Sequence, residues 1–405
     1  MILYKTLIVP VNCNKSDYQY LMQCNKYSAI IWNKCVESDW EYRDIFDKSL
    51  TQSQLQFMMK KSVPHILANS INFVIIKYIT ARDAMWKSIM AKHENSNKVK
   101  LPYKEKKFFN TGWTYQNIRV YKDKGYLTLA KPVAPDIETN YSYKRQKPIK
   151  CHLKSIPNNI VEIELIYCNG LKLAIKTKEE NNNVLIQSNN ESAIDLGEIH
   201  SITAIDNNEN AIIITGRKIR DIKRLRNKEL GKLKSRQRKC TKGSKQYRKY
   251  SKAIWNLKYQ TDKKILDAVH KTTKLYLDYC LQNNISIVYY GDLDDCTRNT
   301  KEEGRGSRKT RQKLSQWNYG LIILQLKNKL NRHGIELIKV KEYWTSKKCP
   351  CCGKRNTPKG RNYQCKKCGY IMHRDVNGAI NILNDNSQYK YKVIKYSNLK
   401  YLRIA

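Results

Sequence analysis

Between residues 349 and 368 the chain places Cys349-Pro-Cys-Cys352 and, after twelve residues, Cys365-Lys-Lys-Cys368. A C-x2-C pair lets two thiolates converge on one ion, and Gly353 and Gly369 supply the turn after each pair. Two such knuckles suit a short ribbon hairpin closed around a structural Zn²⁺ by Cys349, Cys352, Cys365 and Cys368. Four thiolates leave no position for water, so this ion is not a catalytic one. Cys351 has the wrong spacing and stays out of the ligand set. The chain holds 13 cysteines, an odd number, and the other eight are scattered singly from Cys13 to Cys296. That distribution argues against a disulfide framework and for a reducing compartment.

The second constraint is charge. Lys and Arg number 77 against 35 Asp and Glu, a formal net charge of +42. Such an excess repels itself in a compact fold and calls for a polyanion. Nucleic acid is the expected partner. A membrane is not, because no stretch reaches the roughly 18 apolar residues of a span and no amphipathic or lipidation signal is present. The opening MILYKTLIVPV has no basic segment leading into a long apolar run, so no secretory signal is expected.

The charge concentrates between Arg217 and Lys264, where twenty Lys or Arg face three acids, Asp221, Glu229 and Asp262. Leu225, Leu230, Leu233, Ile254 and Leu257 keep helical spacing, which predicts a helical hairpin turning at Lys242–Gly243–Ser244. Like charges one helical turn apart are destabilising until a counter-charge arrives. Arg217, Lys218, Arg220, Lys223, Arg224, Lys234 and Arg236 are therefore candidate nucleic-acid contacts.

Hydrophobic period orders the rest. Residues 1–15 alternate as a strand, 16–99 carry helical spacing, and 100–185 return to short strands, so a β-domain is interrupted by a helical one. An Asn-rich linker (179–192) leads into apolar strands around Asp195 and at AIIIT. A helix (266–281), the strand ISIVYY, a basic loop (298–313) and a helix at 317–330 follow. Next come the strand GIELIKVKE, the cysteine cluster, the helix DVNGAINIL and a Lys/Tyr-rich tail (386–405) expected to be loosely held.

Two-metal hydrolysis of a polynucleotide needs carboxylates from separate strands and a helix converging at one end of a sheet. Asp195 ends an apolar strand before Leu196–Gly197, and Asp375 starts the helix after the cysteines. Each has a plain structural reading too, as a solvated strand end and as a helix cap. Their order along the chain, with the ribbon between them, favours the catalytic one.

Together AIDLG, the basic hairpin, WTSKKCPCCG and CKKCGYIMHRDVNGAINIL resemble the C-terminal half of TnpB-type RNA-guided nucleases, which are related to compact type V CRISPR effectors and to Fanzor proteins. The motif-bearing match covers about residues 190–385. The resemblance implies an α+β multidomain chain. A β-barrel wedge domain (1–15 and 100–185) would carry a helical recognition insert (16–99). An RNase H-like (RuvC) α/β nuclease domain (190–348 and 370–385) would enclose the zinc ribbon (349–369), and a basic tail (386–405) would follow. It also implies a guide RNA, a double-stranded DNA target, two Mg²⁺ ions, a link to a transposable element, and a site in which Asp195 bridges both metals. A monomer is favoured. The place of action would be intracellular: the nucleus or another DNA-containing compartment in a eukaryotic or viral host, the cytoplasm in a prokaryotic one.

The chain departs from the common TnpB pattern at the strand ISIVYYGDL, where Gly291 stands in place of the second catalytic Glu. Glu342 is the natural replacement. In GIELIKVKE it shares a face with Ile338 and Val340, at the carboxyl end where open sheets place their sites. Fanzor proteins and some TnpB proteins have a Glu at this later position. Asp292, whose side chain leaves on the opposite face from Gly291, is a second source. A nuclease-inactive, RNA-guided DNA binder is the alternative reading.

Overall fold

The computed structural model describes residues 2–60, 63, 65–90, 105–135, 143–180, 188–293, 312, 316–341, 344–358, 360–389 and 392–404. Glu342 lies outside them, as do residues 91–99 of the helical segment, 181–187 of the linker and all of the basic loop except Gln312. The chain divides into two compact units, Met1–Asn181 and Asn182–Ala405.

In the first unit, β1 (Ile2–Pro10) is followed by α1 (Lys15–Phe46), α2 (Gln52–Met59) and α3 (Ala68–Met90). Then come β2 (Thr111–Thr114), β3 (Ile118–Tyr121), β4 (Tyr126–Leu129), β5 (Val133–Pro135), β6 (Tyr143–Arg145), β7 (Ile149–His152), β8 (Ile160–Tyr167) and β9 (Leu171–Glu180). The order β1-β9-β8-β2 makes one antiparallel sheet, β3-β4-β7 a second, and β5-β6 a pair. Strict alternation in β8 and β9 turns Ile163, Leu165, Leu173 and Ile175 inward, and the register sets Leu165 opposite Leu173 and Ile163 opposite Ile175. One buried cluster joins these residues to Leu127, Leu129 and Ile149 of the second sheet and to Leu21, Ile31, Val74 and Ile75 of the helices. Helices and sheets thus share a core. The buried charges Asp39 and Arg82 are paired: Asp39 accepts from Leu50 N–H at 2.6 Å and from the Tyr78 hydroxyl at 2.8 Å, while Arg82 spans Asp39 and the Leu50 carbonyl.

The second unit is built on β10 (Asn190–Asp195), β11 (His200–Asp206) and β12 (Asn210–Thr215), then α4 (Arg217–Arg238), α5 (Lys245–Gln282) and β13 (Ile285–Gly291). There follow α6 (Tyr319–Arg332), β14 (Glu336–Val340), β15 (Asn362–Gln364), β16 (Ile371–His373), α7 (Arg374–Asn386) and β17 (Asn398–Leu402). The sheet order is β14-β13-β10-β11-β12-β17. β10, β13 and β14 run parallel, whereas β11 is antiparallel to both of its neighbours. Both faces are covered, which explains the near-continuous apolar run of β12. Ile194, Ile202, Ala204, Ile212 and Ile214 face α5 and α6, and Ala193, Ile205, Ala211 and Ile213 face α7.

Two expectations are corrected. The second arm of the basic hairpin and the helix expected at 266–281 are one 38-residue helix, α5, because no Gly or Pro interrupts 245–282. The tail is not loose throughout: β17 adds to the open edge of β12, pairing Ala211 with Leu399 and Ile213 with Tyr401. Its many charges hide an alternation that buries Leu399 partly on one face and Leu402 on the other.

Candidate nuclease centre, zinc ribbon and basic hairpin

The three parallel strands β10, β13 and β14 end at the same edge. Ile194 pairs with Tyr290, so Gly291 stands beside Asp195, and Gly291 in turn pairs with Val340. Ala193, Tyr289, Ile338 and Val340 lie on the α7 side, which puts Asp195 and Gly291 on that side too. Gly197 turns the chain sharply after Asp195: its N–H donates to His200 O at 3.0 Å, and a Cβ there would meet that carbonyl at 2.8 Å. Half-buried Asp195 then lies over α7 at Gly378, where a Cβ would come within 2.7 Å of Asp195 Oδ2. Asp375 is three residues earlier on the same helix face. The motif RDVNGA therefore sets Asp375 one helical turn from the glycine against which Asp195 lies, the glycine making room for that carboxylate.

Asp375 Oδ2 accepts from His200 Nδ1 at 2.7 Å and from Arg361 at 2.9 Å. Burial alone would raise its pKa. The His200 hydrogen bond and the charges of Arg361 and His373 outweigh burial and hold the carboxyl below the ordinary range. Asp292 is turned away: its carboxylate pairs with Lys339 at 2.8 Å, and Lys339 alternates with Ile338 and Val340 onto the other side of the sheet. Glu342 lies outside the described residues, two positions beyond the last residue of β14.

The four expected cysteines converge. Cys349 and Cys368 sulfurs lie 3.6 Å apart, Cys352 and Cys365 sulfurs 3.5 Å, while Cys351 is exposed. These separations are edges of a tetrahedron around one ion, so the donor set fits Zn²⁺. Backbone N–H groups of Cys368 and Lys367 hold the Cys365 thiol below its ordinary value, which favours the thiolate. Asn377 and Asn381 of α7 clamp the entry to the ribbon. Both are buried, and the Asn381 amide donates to Thr345 O at 2.7 Å and to Lys348 O at 2.8 Å. On the far side β16 ends at His373, the residue immediately before α7. The ribbon is thereby built into the helix that carries Asp375.

The basic hairpin separates its cations into two kinds. Arg217, Arg224, Lys234 and Arg236 are exposed, Arg224 with only a 3.7 Å contact to Asp221. Lys218 is half-buried. Arg220 pairs with Glu198 at 3.2 Å. Lys223 donates to the Gln316 carbonyl, and burial, reinforced by Arg226, pushes its ammonium down to about 8. Ile219 is the one residue of α4 that is fully buried, and the buried residues of α5 begin at Thr261. Among the described residues the distal hairpin has no core of its own beyond helix-to-helix contact.

Sequence reading missed His200, Arg361, Gly378, Asn377 and Asn381. The two asparagines and the glycine were within the quoted motif, yet their partners become visible only in three dimensions.

A mixed α/β multidomain fold, with a four-cysteine cluster fit for zinc and an exposed basic arm, is what these elements define. Comparison with known proteins agrees. Residues 319–382 match the family model described as Cas12f1-like, TNB domain. A TnpB-like protein of Methanocaldococcus jannaschii, MJ0751, is 28% identical over 121 residues, which are 30% of this chain and 42% of that protein. The CRISPR-associated endodeoxyribonuclease Cas12f1 of an uncultured archaeon is 29% identical over 116 residues, 26% of this chain and 21% of that protein. The chain thus matches less than half the length of these curated relatives. Among solved structures, the protein of a Cas12f1–sgRNA–target DNA complex superposes with a TM-score of 0.66 at 16% identity, over 91% of this chain and 83% of that one. The chain resembles TnpB-type compact nucleases in sequence over its C-terminal part and Cas12f1 in fold over nearly its whole length. No described helix is long and apolar enough to cross a membrane.

Proposed function

We propose that the protein is an RNA-guided DNA endonuclease of the TnpB type, and that the second unit is its RNase H-like (RuvC) nuclease domain. The observation that carries this reading is the placement of Asp195, at the end of a central parallel strand, against Gly378 of α7, one helical turn from Asp375. The carboxylate oxygens suit a hard cation such as Mg²⁺. Asp195, Asp375 and, as third ligand, Glu342 would hold it. Bound there, it would polarise the phosphate and lower the pKa of an attacking water. The chain's own part is to fix Asp195 against α7 and to orient Asp375 through His200 and Arg361. The exposed cations of the hairpin hold the phosphate backbone of guide RNA and heteroduplex, and base pairing reads the target. The strands of the first unit form the wedge domain, its two sheets closing as a barrel, with α1–α3 as the recognition insert. A link to a transposable element and a place of action wherever the host keeps its DNA belong to the same reading. Cleavage of a plasmid carrying the sequence complementary to the copurified RNA, in the presence of Mg²⁺, tests it.

Gly291 beside Asp195 supports the second reading, an RNA-guided DNA-binding regulator that does not cut. Binding of the matching plasmid without cleavage distinguishes it.

A further inference from the structure

The centre holds two imidazoles that the three-carboxylate site does not use. His200, 5% exposed, begins β11, and His373 closes β16 immediately before α7. Their ring centroids are 5.1 Å apart, and the ligand atoms of His200, His373 and Asp375 all lie within 4.8 Å of one another. His373 Nδ1 is buried and has no hydrogen-bond partner among the described residues, an uncompensated polar atom beside a carboxylate. The second ring nitrogen of His200 faces the Tyr401 hydroxyl at 3.5 Å, the kind of outer contact that orients a metal-bound histidine.

We infer that His200, His373 and Asp375 form a second metal site, selective for a divalent transition metal such as Zn²⁺ over Mg²⁺. Two imidazoles and one carboxylate are a donor set for Zn, Fe, Ni or Co, whereas Mg²⁺ takes oxygen ligands and keeps its waters. Without the metal, the same carboxylate oxygen is satisfied by the His200 contact and by Arg361. Arg361 is 44% exposed at its side chain and can swing into solvent when a dication takes its place. The site shares Asp375 with the proposed nuclease centre, but its existence does not require that the chain cut DNA.

The test is a metal count on the full-length chain, equilibrated with micromolar Zn²⁺, freed of unbound metal by gel filtration and analysed by inductively coupled plasma mass spectrometry. Wild type should carry two zinc ions, one at the four cysteines and one at the histidines. His200→Gln and His373→Asn should each lose the second while keeping the first. Comparison with the variants cancels zinc held unspecifically by copurified RNA. Arg361→Gln removes the competing cation and should tighten the second site by about tenfold, the scale of an outer-shell contact. A single zinc in wild type overturns the inference. So does a zinc count in His373→Asn, whose side chain is only half-buried and can be changed with little risk to folding, equal to that of wild type.

Discussion

Asp195 and Asp375 acquire their meaning from a residue without a side chain. Gly378→Ala puts a methyl within 2.7 Å of Asp195 Oδ2, the movable end of a side chain, so stability should change little. Here the carboxylate must yield, so cleavage should fall by at least about tenfold while RNA binding stays at the wild-type level; plasmid cleavage and a filter-binding assay measure the two. Asp195→Ala, Asp375→Ala and Glu342→Ala should each lower cleavage by more than about 100-fold, because each removes charge stabilisation from the transition state and ligands acting as a unit are not additive. Asp292→Ala should be much milder, since its carboxylate is paired with Lys339 on the opposite side of the sheet. Robust cutting by Glu342→Ala would return attention to Asp292. The two aspartates could be singled out in the sequence by their order around the cysteine cluster and by the resemblance, not by either motif alone. His200 could not, since its partner Asp375 is 175 residues away and nothing local marks a histidine at a strand start as a carboxylate donor.

Among the elements, the ribbon and the hairpin read differently from the sequence. The cysteine spacing named the four cysteines that converge, Cys351 apart, but not the Asn377 and Asn381 clamp at the ribbon's entry. Cys365→Ala should lose that zinc and unfold 349–368 locally, since structural zinc contributes on the order of 10 kcal/mol to folding a small module. Atomic absorption and proteolysis of the ribbon check this; full retention of that zinc would exclude the ligand set. The hairpin was visible in its charge and length, but α5 was cut too short because helical period alone does not mark where one helix stops and the next begins. Burial then sorts its cations. Arg217, Arg224, Lys234 and Arg236 changed together to Gln should flatten the salt dependence of RNA binding, each lost phosphate contact reducing the log–log slope by roughly 0.7–0.9. An unchanged slope would make them a solvated face. Lys223 should contribute less than these, being committed to the Gln316 carbonyl.

At the scale of the molecule, strand periodicity foretold strands before and after a helical insert and an α/β sheet after the linker. What it could not give was pairing. The two sheets of the first unit, the insertion of β10 between β11 and β13, and the capture of the tail as β17 depend on long-range register, which a single sequence encodes only through matching faces. The buried clusters of the second unit draw entirely on its own residues. Residues 188–405 expressed alone should therefore fold cooperatively and keep the four-cysteine zinc, as followed by circular dichroism and metal content. The central claim, RNA-guided cutting, is tested most directly by incubating the full-length protein and its copurified RNA with Mg²⁺ and a matched pair of plasmids, one carrying the sequence complementary to that RNA. Cleavage of the complementary plasmid alone, abolished in Asp195→Ala, is expected; cutting of both plasmids, or of neither while the complementary one is bound, would overturn RNA-guided cutting.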